Sequence, residues 1–381
     1  MFISDSSASS TDGSSSARAF GPARTALPGL DGLRFCAAAL VFVYHVEGFK
    51  RTQDWISPLG DYLAPRLAGR EGVRLFFVLS GFLITYLLLI EHRATSRINI
   101  PRFYLRRVLR IWPLYYLIVA LSFFVLPHVI HFSNYNELLK PDFGKKLLLY
   151  LALLPNLTLY WYPAVLYASQ AWSIGIEEQF YLLWPWFLRA IARRPFVPLL
   201  GVVLGKIMVD WIAATWFQDW RLLNGYLDDF EIEGMALGGL TSLVLLRPRG
   251  APLWLQHPAV RVANYALLGA ALHYKLAIPH SRLLIEAACA WLILQTASAT
   301  RRNRLLDHGW IKYLGRISYG IYMFHSLGIV LALLAVGALA NRSALANPLV
   351  YAGSALFSVA LAVCSYEGME RRFIRLKRGV N

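Results

Sequence analysis

Cysteine is scarce: the 381 residues hold three, Cys36, Cys289 and Cys364. Each lies in an apolar stretch, three cannot pair fully, and none has metal-ligand spacing. A disulfide framework and a thiolate metal site are therefore excluded, and the cysteines read as small buried hydrophobes. Charge is scarce as well. Asp, Glu, Lys and Arg make up 16% of the chain, and the 22 acidic residues are outnumbered by 38 basic ones, for a net charge of +16. A soluble polyanion binder with that excess would carry many more charges and less Leu, Phe and Trp, so no nucleic-acid partner is expected. No repeat of 20–50 residues is apparent. What the chain does have is apolar mass: 57% hydrophobic residues, 14% aromatics and a mean hydropathy of +0.47. That excludes a disordered or collagen-like chain and points to an integral membrane protein.

Residues 1–26 are Ser/Ala/Gly-rich and polar, cannot bury an apolar face and read as a disordered tail. No short apolar run with a cleavage site precedes Leu27, so they do not read as a secretory leader. Residues 27–370 read as one transmembrane domain and 371–381 as a basic cytoplasmic tail, with no second soluble domain. Ten apolar runs approach the ~20 residues that span a bilayer. They are Leu30–Phe49, Val73–Ile90, Phe103–Leu126, Trp172–Leu188, Phe196–Phe217, Phe230–Leu246, Leu253–Tyr274, Leu283–Ala299, Ile311–Ala338 and Pro348–Ser365. The run Leu147–Tyr160 is short and contains Pro155, so it reads as a span, a re-entrant piece or an interfacial piece. Charge decides. With ten spans and the N-terminus inside, the clusters Arg93–Arg110, Arg189–Arg194, Arg301–Arg304 and Arg371–Arg378 face the cytoplasm, which then holds roughly twice the Lys and Arg of the outside. The expected fold is thus all-α and polytopic, with about ten transmembrane helices and both termini cytoplasmic. The loop from about Pro127 to Ala171 would lie outside.

Ionisable groups at membrane depth are costly, which makes each a functional candidate. Arg34 and His45 are eleven residues apart; at ~100° and ~1.5 Å per residue they share a face, ~17 Å apart along the helix. A cation at one end and an imidazole deeper in suit an anionic ligand and acid–base work. The plainer reading pairs Arg34 with Asp31 at i,i+3. Ser80-Gly81 permits close helix approach. Arg107 and Arg110, also at i,i+3, suit a phosphate, although topology signal and headgroup contact explain them as readily. In Trp172–Tyr181, Ser173, Glu177 and Tyr181 follow one another at i,i+4 while adjacent Glu178 points elsewhere, so at most one carboxylate is catalytic. Asp228, Asp229, Glu231 and Glu233 form an acidic cluster, suited to acceptor hydroxyls or a cation but most simply a solvated outer mouth; no His or Cys joins it, and no metal site is expected. Ser318, Tyr322 and His325 form one stripe at i, i+4 and i+7, equally readable as a core-facing polar row.

Together these segments resemble the membrane acyltransferase-3 family, the bacterial O-acyltransferases of surface glycans and some natural products. The likeness covers nearly the whole chain after the tail. Arg34 to His45 is similar to the family's Arg-x10-His pattern, Gly72–Leu83 to its second-helix signature, and Arg107-Val-Leu-Arg110 to its cytoplasmic Arg-x-x-Arg. Trp172-Ser173 through Glu177 to Pro185 resembles its Trp-Ser-Leu-x-x-Glu element with Ile174 for Leu, and Gly315–His325 its late Ser-Tyr-x-x-Tyr-x-x-His element. Two positions depart: Arg74 stands where many relatives have Asp, and Glu231 where a basic residue is expected, while Glu233 fits the acidic position after it. Many relatives also carry a fused esterase-like domain, which is not found here.

The resemblance implies transfer of an acyl group, commonly acetyl, from cytoplasmic acyl-CoA to a hydroxyl of a glycan or lipid-linked oligosaccharide at the bacterial inner membrane. No permanently bound cofactor is implied; acetyl-CoA is the donor substrate. Arg107 and Arg110 would hold the CoA phosphates and Arg34 guide the pantetheine arm. His45 would act as base or nucleophile, and Glu177 would orient it or bind the acceptor. Ser80, Ser173, Tyr181, Glu233, Ser318, Tyr322 and His325 would support. A small lipophilic acceptor such as a macrolide stays open within the same chemistry. A proton-coupled transporter or flippase is the competing class, although no paired Gly/Pro-broken helices in matching halves support it. A noncatalytic scaffold leaves the polar stripes unexplained.

Overall fold

A computed structural model of the chain describes residues 27–55, 69–132, 135–274, 281–299, 303–339 and 346–376. The expected tail 1–26, Arg301, Arg302, and residues 377–381 of the basic tail lie outside the described residues. Among those described, all regular structure is helical.

Helix α1 (Leu30–Arg51) starts after Gly29, whose φ of 70° is a left-handed value that glycine adopts without strain. Helix α2 spans Gly69–Thr95 and α3 spans Ile100–Ala120. The side chain of Asn99 caps α3 by accepting from the Arg102 backbone N–H, and Pro101 occupies its first turn, where no amide donor is needed. A π-type turn at Leu121–Val125 carries α3 on to Val129. The ambiguous run resolves into two short helices. Here α4 is Tyr135–Leu139, α5 is Phe143–Leu151 and α6 is Pro155–Trp161. Pro155 opens α6 rather than kinking a longer helix. Neither α5 nor α6, at 9 and 7 residues, is long enough to cross a bilayer. A 3-10 turn at Ser169–Ala171 leads into α7 (Trp172–Ile191). Then follow α8 (Phe196–Trp216), α9 (Arg221–Asp229), α10 (Ile232–Leu245), α11 (Pro258–Tyr274), α12 (Ser281–Ala297), α13 (Gly309–Arg316), α14 (Ser318–Leu339) and α15 (Asn347–Ser365), which continues through Tyr366–Glu370 to Leu376.

Among the described residues, six helical stretches are long and apolar enough to cross a membrane: Leu30–Arg51, Gly69–Thr95, Ile100–Val129, Phe196–Trp216, Ser318–Gly337 and Asn347–Leu376. The other four expected spans fall short for distinct reasons. Helix α7 has 20 residues but includes Glu177, Glu178 and Arg189. Helices α10, α11 and α12 have 14, 17 and 17 residues. At ~1.5 Å per residue α10 is only ~21 Å long. The single helix expected over Ile311–Ala338 is broken at Ile317, which leaves α13 and α14 as separate elements.

The membrane-length windows of α2 and α14 are 72% and 78% buried, while those of α8 and α15 are 22% buried each. The first two therefore form the centre and the last two the rim. Around the rim Trp161, Trp186, Trp211, Trp216, Trp220, Trp254 and Trp310 are exposed, as residues facing lipid and its interface are. The short α10 is held at the centre by glycine. A Cβ placed on Gly81 of α2 would come within 2.6 Å of Met235 Cα, and one on Gly238 of α10 within 2.6 Å of Phe82 N. The two backbones touch where side chains are missing, as the Ser80-Gly81 pair led one to expect.

Candidate active site

Five helices converge on one cavity of about 170 Å³. Helix α1 contributes Arg34, α2 Ser80, α3 Arg107 and Arg110, α7 Ser173, Glu177 and Tyr181, and α14 Ser318 and Tyr322. Within each helix these residues recur at three- or four-residue spacing, so each stripe faces one way. The structure supplies what spacing alone cannot: the stripes face each other. A larger cavity of about 510 Å³ lies against α1, α2, α11 and α12, but its walls are almost wholly apolar.

Glu177 is the polar centre of the cavity. Its Oε1 accepts from Ser80 Oγ at 2.7 Å and its Oε2 from Tyr181 OH at 2.9 Å. Glu178, one residue on and about 100° around the helix, leaves this cluster and accepts from Trp112 Nε1 at 3.1 Å. The positive side is less satisfied. Arg34 pairs with Asp31 at 3.0 Å, the plainer reading of that residue, and still lines the cavity. The Arg107 guanidinium lies 5.5 Å from the ring centroids of both Phe103 and Tyr181, and its buried Nε has no partner. Among the described residues neither Arg107 nor Arg110 takes part in an ion pair. Three guanidiniums thus share a cavity that Phe76, Phe77, Leu83, Ile84 and Ile111 also line. Such an excess of partly buried positive charge favours an anion, and the planar fork of arginine suits phosphate oxygens.

His45 and His325 do not line this cavity; they lie beside it as a pair, with ring centroids 4.7 Å apart and planes inclined by 60°. The Tyr322 ring joins the two regions, lining the cavity while sitting 5.7 Å from the His325 ring. Both tautomers follow from hydrogen bonding. His45 Nδ1 lies 2.8 Å from the Val41 carbonyl and His325 Nδ1 lies 2.5 Å from the Tyr322 carbonyl. A carbonyl only accepts, so both Nδ1 atoms carry hydrogen and both Nε2 atoms keep a basic lone pair. Tyr322 OH donates to the Gln170 carbonyl at 2.9 Å and meets Ser173 Oγ at 2.7 Å, which ties α14 to the start of α7.

Glu233 sits elsewhere. Of the acidic cluster expected as a solvated mouth, Asp228 is exposed, at 68% of its side chain, while Asp229, Glu231 and Glu233, at 7%, 2% and 2% exposure, form a buried ion network. Glu233 faces Arg282 at 3.0 Å and Lys206 at 3.9 Å. Arg282 and Lys206 both reach Asp210 at 2.5 Å. Arg74 reaches Glu71 at 2.5 Å and Glu231 at 3.1 Å, and Arg70 and Tyr160 hold Asp229. The cations that neutralise this cluster come from α2, α8 and α12, distant in sequence, which is why its composition looked merely acidic. The network also holds Glu286, fully buried with neither carboxylate oxygen hydrogen-bonded. Sequence reasoning missed Glu286, although a lone carboxylate inside the apolar run Leu283–Ala299 is the kind of signal it sought. It also missed Gln170 and Ser326, which flank known elements as ordinary polar residues. No group of His, Cys, Asp or Glu among the described residues is arranged to hold a metal ion.

Fold and cavity define a class: a polytopic helical membrane protein with an arginine-lined cavity beside a histidine pair. Comparison with known proteins places it further. The model of a family described as an acyltransferase domain, acyltransferase-3, matches residues 27–367, and the chain belongs to that family. It is 28% identical over 336 residues to YrhL of Bacillus subtilis (strain 168), provisionally named a peptidoglycan O-acetyltransferase, covering 80% of this chain and 49% of that protein. It is 25% identical over 322 residues to the peptidoglycan O-acetyltransferase OatA of Listeria monocytogenes, covering 79% and 49%. The O-acetyltransferase OatA of Staphylococcus aureus is 33% identical over 172 residues, covering 44% and 26%. The chain thus spans about half, or less, of the length of these relatives. No solved structure matches it.

Proposed function

We propose that the protein is a membrane O-acetyltransferase that moves an acetyl group from acetyl-CoA to a hydroxyl of a cell-surface glycan. The observation that carries this reading is the cavity itself: three arginines and Glu177 face one space, and Tyr322 connects it to two histidines whose Nε2 atoms carry a lone pair. Arg107 and Arg110 bind the CoA phosphates, and Arg34 receives the pantetheine arm. The ~17 Å along α1 from Arg34 to His45 is comparable to the reach of that arm. His45 Nε2 takes the proton of the acceptor hydroxyl as its oxygen bonds to the acetyl carbon; the carbon–sulfur bond breaks, and the proton passes to the departing thiolate. Glu177, held by Ser80 and Tyr181, binds the acceptor or orients the donor through its charge.

The names of the relatives favour a peptidoglycan-type sugar as acceptor, within a class that extends to exopolysaccharide and O-antigen. In this reading the chain crosses the bacterial inner membrane ten times with both termini cytoplasmic, the short α10–α12 completing the bundle. That places the arginines at the inner face, where acyl-CoA is made. The test is thiol release from acetyl-CoA by purified protein given soluble muropeptides as acceptor. Turnover is expected in the parent chain and its loss in His45→Ala. A His45→Ala protein that acetylates at the parental rate would overturn the assignment, and a carrier rather than an enzyme would consume no thioester.

A further inference from the structure

The second imidazole has surroundings that suit a state the resting protein does not contain. Four residues define them: His325, Ser326, Gln170 and Tyr322, at 1%, 1%, 2% and 6% exposure. The Gln170 amide cannot be turned around. Its Nε2 donates to two carbonyls, Tyr167 O at 3.0 Å and Met323 O at 2.6 Å, so its Oε1 must face Ser326. Ser326 Oγ lies 3.0 Å from that Oε1 and must donate its only hydrogen there. The hydroxyl then offers only lone pairs to its other neighbour, His325 Nε2, at 3.4 Å. With Nδ1–H committed to Tyr322 O, Nε2 of the neutral ring also presents a lone pair. Two acceptors face each other, and the contact is long. If His325 gains a proton, the mismatch becomes a hydrogen bond from Nε2–H to Ser326 Oγ, already aimed and needing no rearrangement.

We propose that His325 takes up the proton that His45 removes from the acceptor hydroxyl, and that Ser326 and Gln170 are positioning residues that stabilise it there. The inference rests on the acyl-transfer reading above and deepens it. The acceptor oxygen forms its bond to the acetyl carbon and its proton moves to His45 Nε2. The proton then moves to His325 Nε2, in the ring whose centroid lies 4.7 Å from that of His45, and the resulting Nε2–H donates to the Ser326 lone pair. The carbon–sulfur bond breaks, and the proton returns through His45 to the thiolate, giving CoA thiol. Two adjacent imidazoles hold one extra proton between them, never two, because a second buried charge at that separation is repelled. The serine–amide pair belongs to the start of α7 and to α14, the elements that also carry Ser173 and Tyr322 of the cavity. The cavity and the proton site therefore share one junction.

The experiment measures thiol release from acetyl-CoA with muropeptides for purified full-length protein and for Ser326→Ala, Ser326→Thr, His325→Gln, Ser326→Ala with His325→Gln, and His45→Ala. Ser326→Ala deletes one oxygen and is expected to fold, which equal thermal unfolding midpoints will verify. Its kcat should fall about tenfold, as for loss of a hydrogen bond to a charged group. Its KM for acetyl-CoA should hold. Ser326→Thr, which keeps the oxygen, should restore most of the rate. The double variant should be no slower than His325→Gln alone, because the serine acts only through that ring. A Ser326→Ala protein with parental kcat overturns the proposal, as does a loss that adds fully to that of His325→Gln. In either case a parental enzyme that turns over and a dead His45→Ala leave the acyl-transfer reading standing. A parental chain that never cleaves acetyl-CoA overturns both.

Discussion

Arg74 and Glu231, the two positions that depart from the pattern the sequence resemblance implies, touch one another. Arg74 Nε lies 3.1 Å from Glu231 Oε1, across 157 residues of sequence. If the residues that the resemblance leads one to expect stood at these positions, an acid on α2 and a base just before α10 would make the same ion pair with its signs exchanged. The reasoning predicts an asymmetric double-variant cycle. In Arg74→Asp, Glu71 and Glu231 lose the cation they share, and a further carboxylate arrives among Glu71, Glu231, Glu233 and Glu286, all 9% exposed or less. Breaking a buried pair and stranding its partner costs about 3–5 kcal/mol, and this site belongs at the upper end. Glu231→Arg places a second cation beside Arg74, but the surplus carboxylates receive it: Glu71 Oε2 and both oxygens of Glu286 have no hydrogen-bond partner. Its cost should be clearly smaller. The combined Arg74→Asp, Glu231→Arg protein re-forms the pair with its signs exchanged and should recover about 2 kcal/mol relative to the sum of the single changes. Thermal unfolding of detergent-solubilised protein, followed by tryptophan fluorescence, reads all four corners of the cycle. Strict additivity, or a Glu231→Arg protein less stable than Arg74→Asp, would refute the argument.

Three other substitutions probe separate parts of the structure. Gly81→Ala forces backbone atoms now 2.6 Å from the new Cβ out toward the 3.4 Å at which ordinary contact begins. It should destabilise by roughly 1–3 kcal/mol, read as a lower unfolding midpoint; an unchanged midpoint would mean that α2 and α10 are not in backbone contact there. Arg107→Ala and Arg110→Ala should each raise KM for acetyl-CoA about tenfold, the scale of one charge-assisted hydrogen bond to phosphate, with a smaller change in kcat. Unchanged KM in both variants would remove the phosphates from this cavity.

Much of the site was legible because its parts are periodic within single helices. Arg107 with Arg110, Ser173 with Glu177 and Tyr181, and Ser318 with Tyr322 all follow from a 3.6-residue turn, and the structure places all of them on one cavity. The direction of Glu178 followed from the same arithmetic, and Trp112 now accounts for where it points. Length was less legible. Hydropathy averaged over Ile311–Ala338 hides the break between Arg316 and Ser318, and averaged over the neighbouring runs it hides the ends of α10, α11 and α12, because it does not tell a residue in a break or a cap from one in a helix. The count of spans therefore rests on charge asymmetry more than on the helices themselves.

What periodicity could not supply is which stripe meets which. Glu233 was expected to support the same site as the cavity residues, yet its partners are Arg282 and Lys206, and it serves a different cluster. The composition showed an acidic patch because its neutralising residues lie on three other helices. Burial changes the meaning of such a patch: in water its charges would be screened, whereas in the bundle each carboxylate needs a cation or a proton. Glu286 has neither a hydrogen bond nor an ion pair of its own among the described residues, and its nearest charged neighbours include two other carboxylates. The network is consequently arranged so that charge at one position constrains charge at the others. A cation at residue 74 then calls for a carboxylate beside it, and Glu231 supplies one at 3.1 Å.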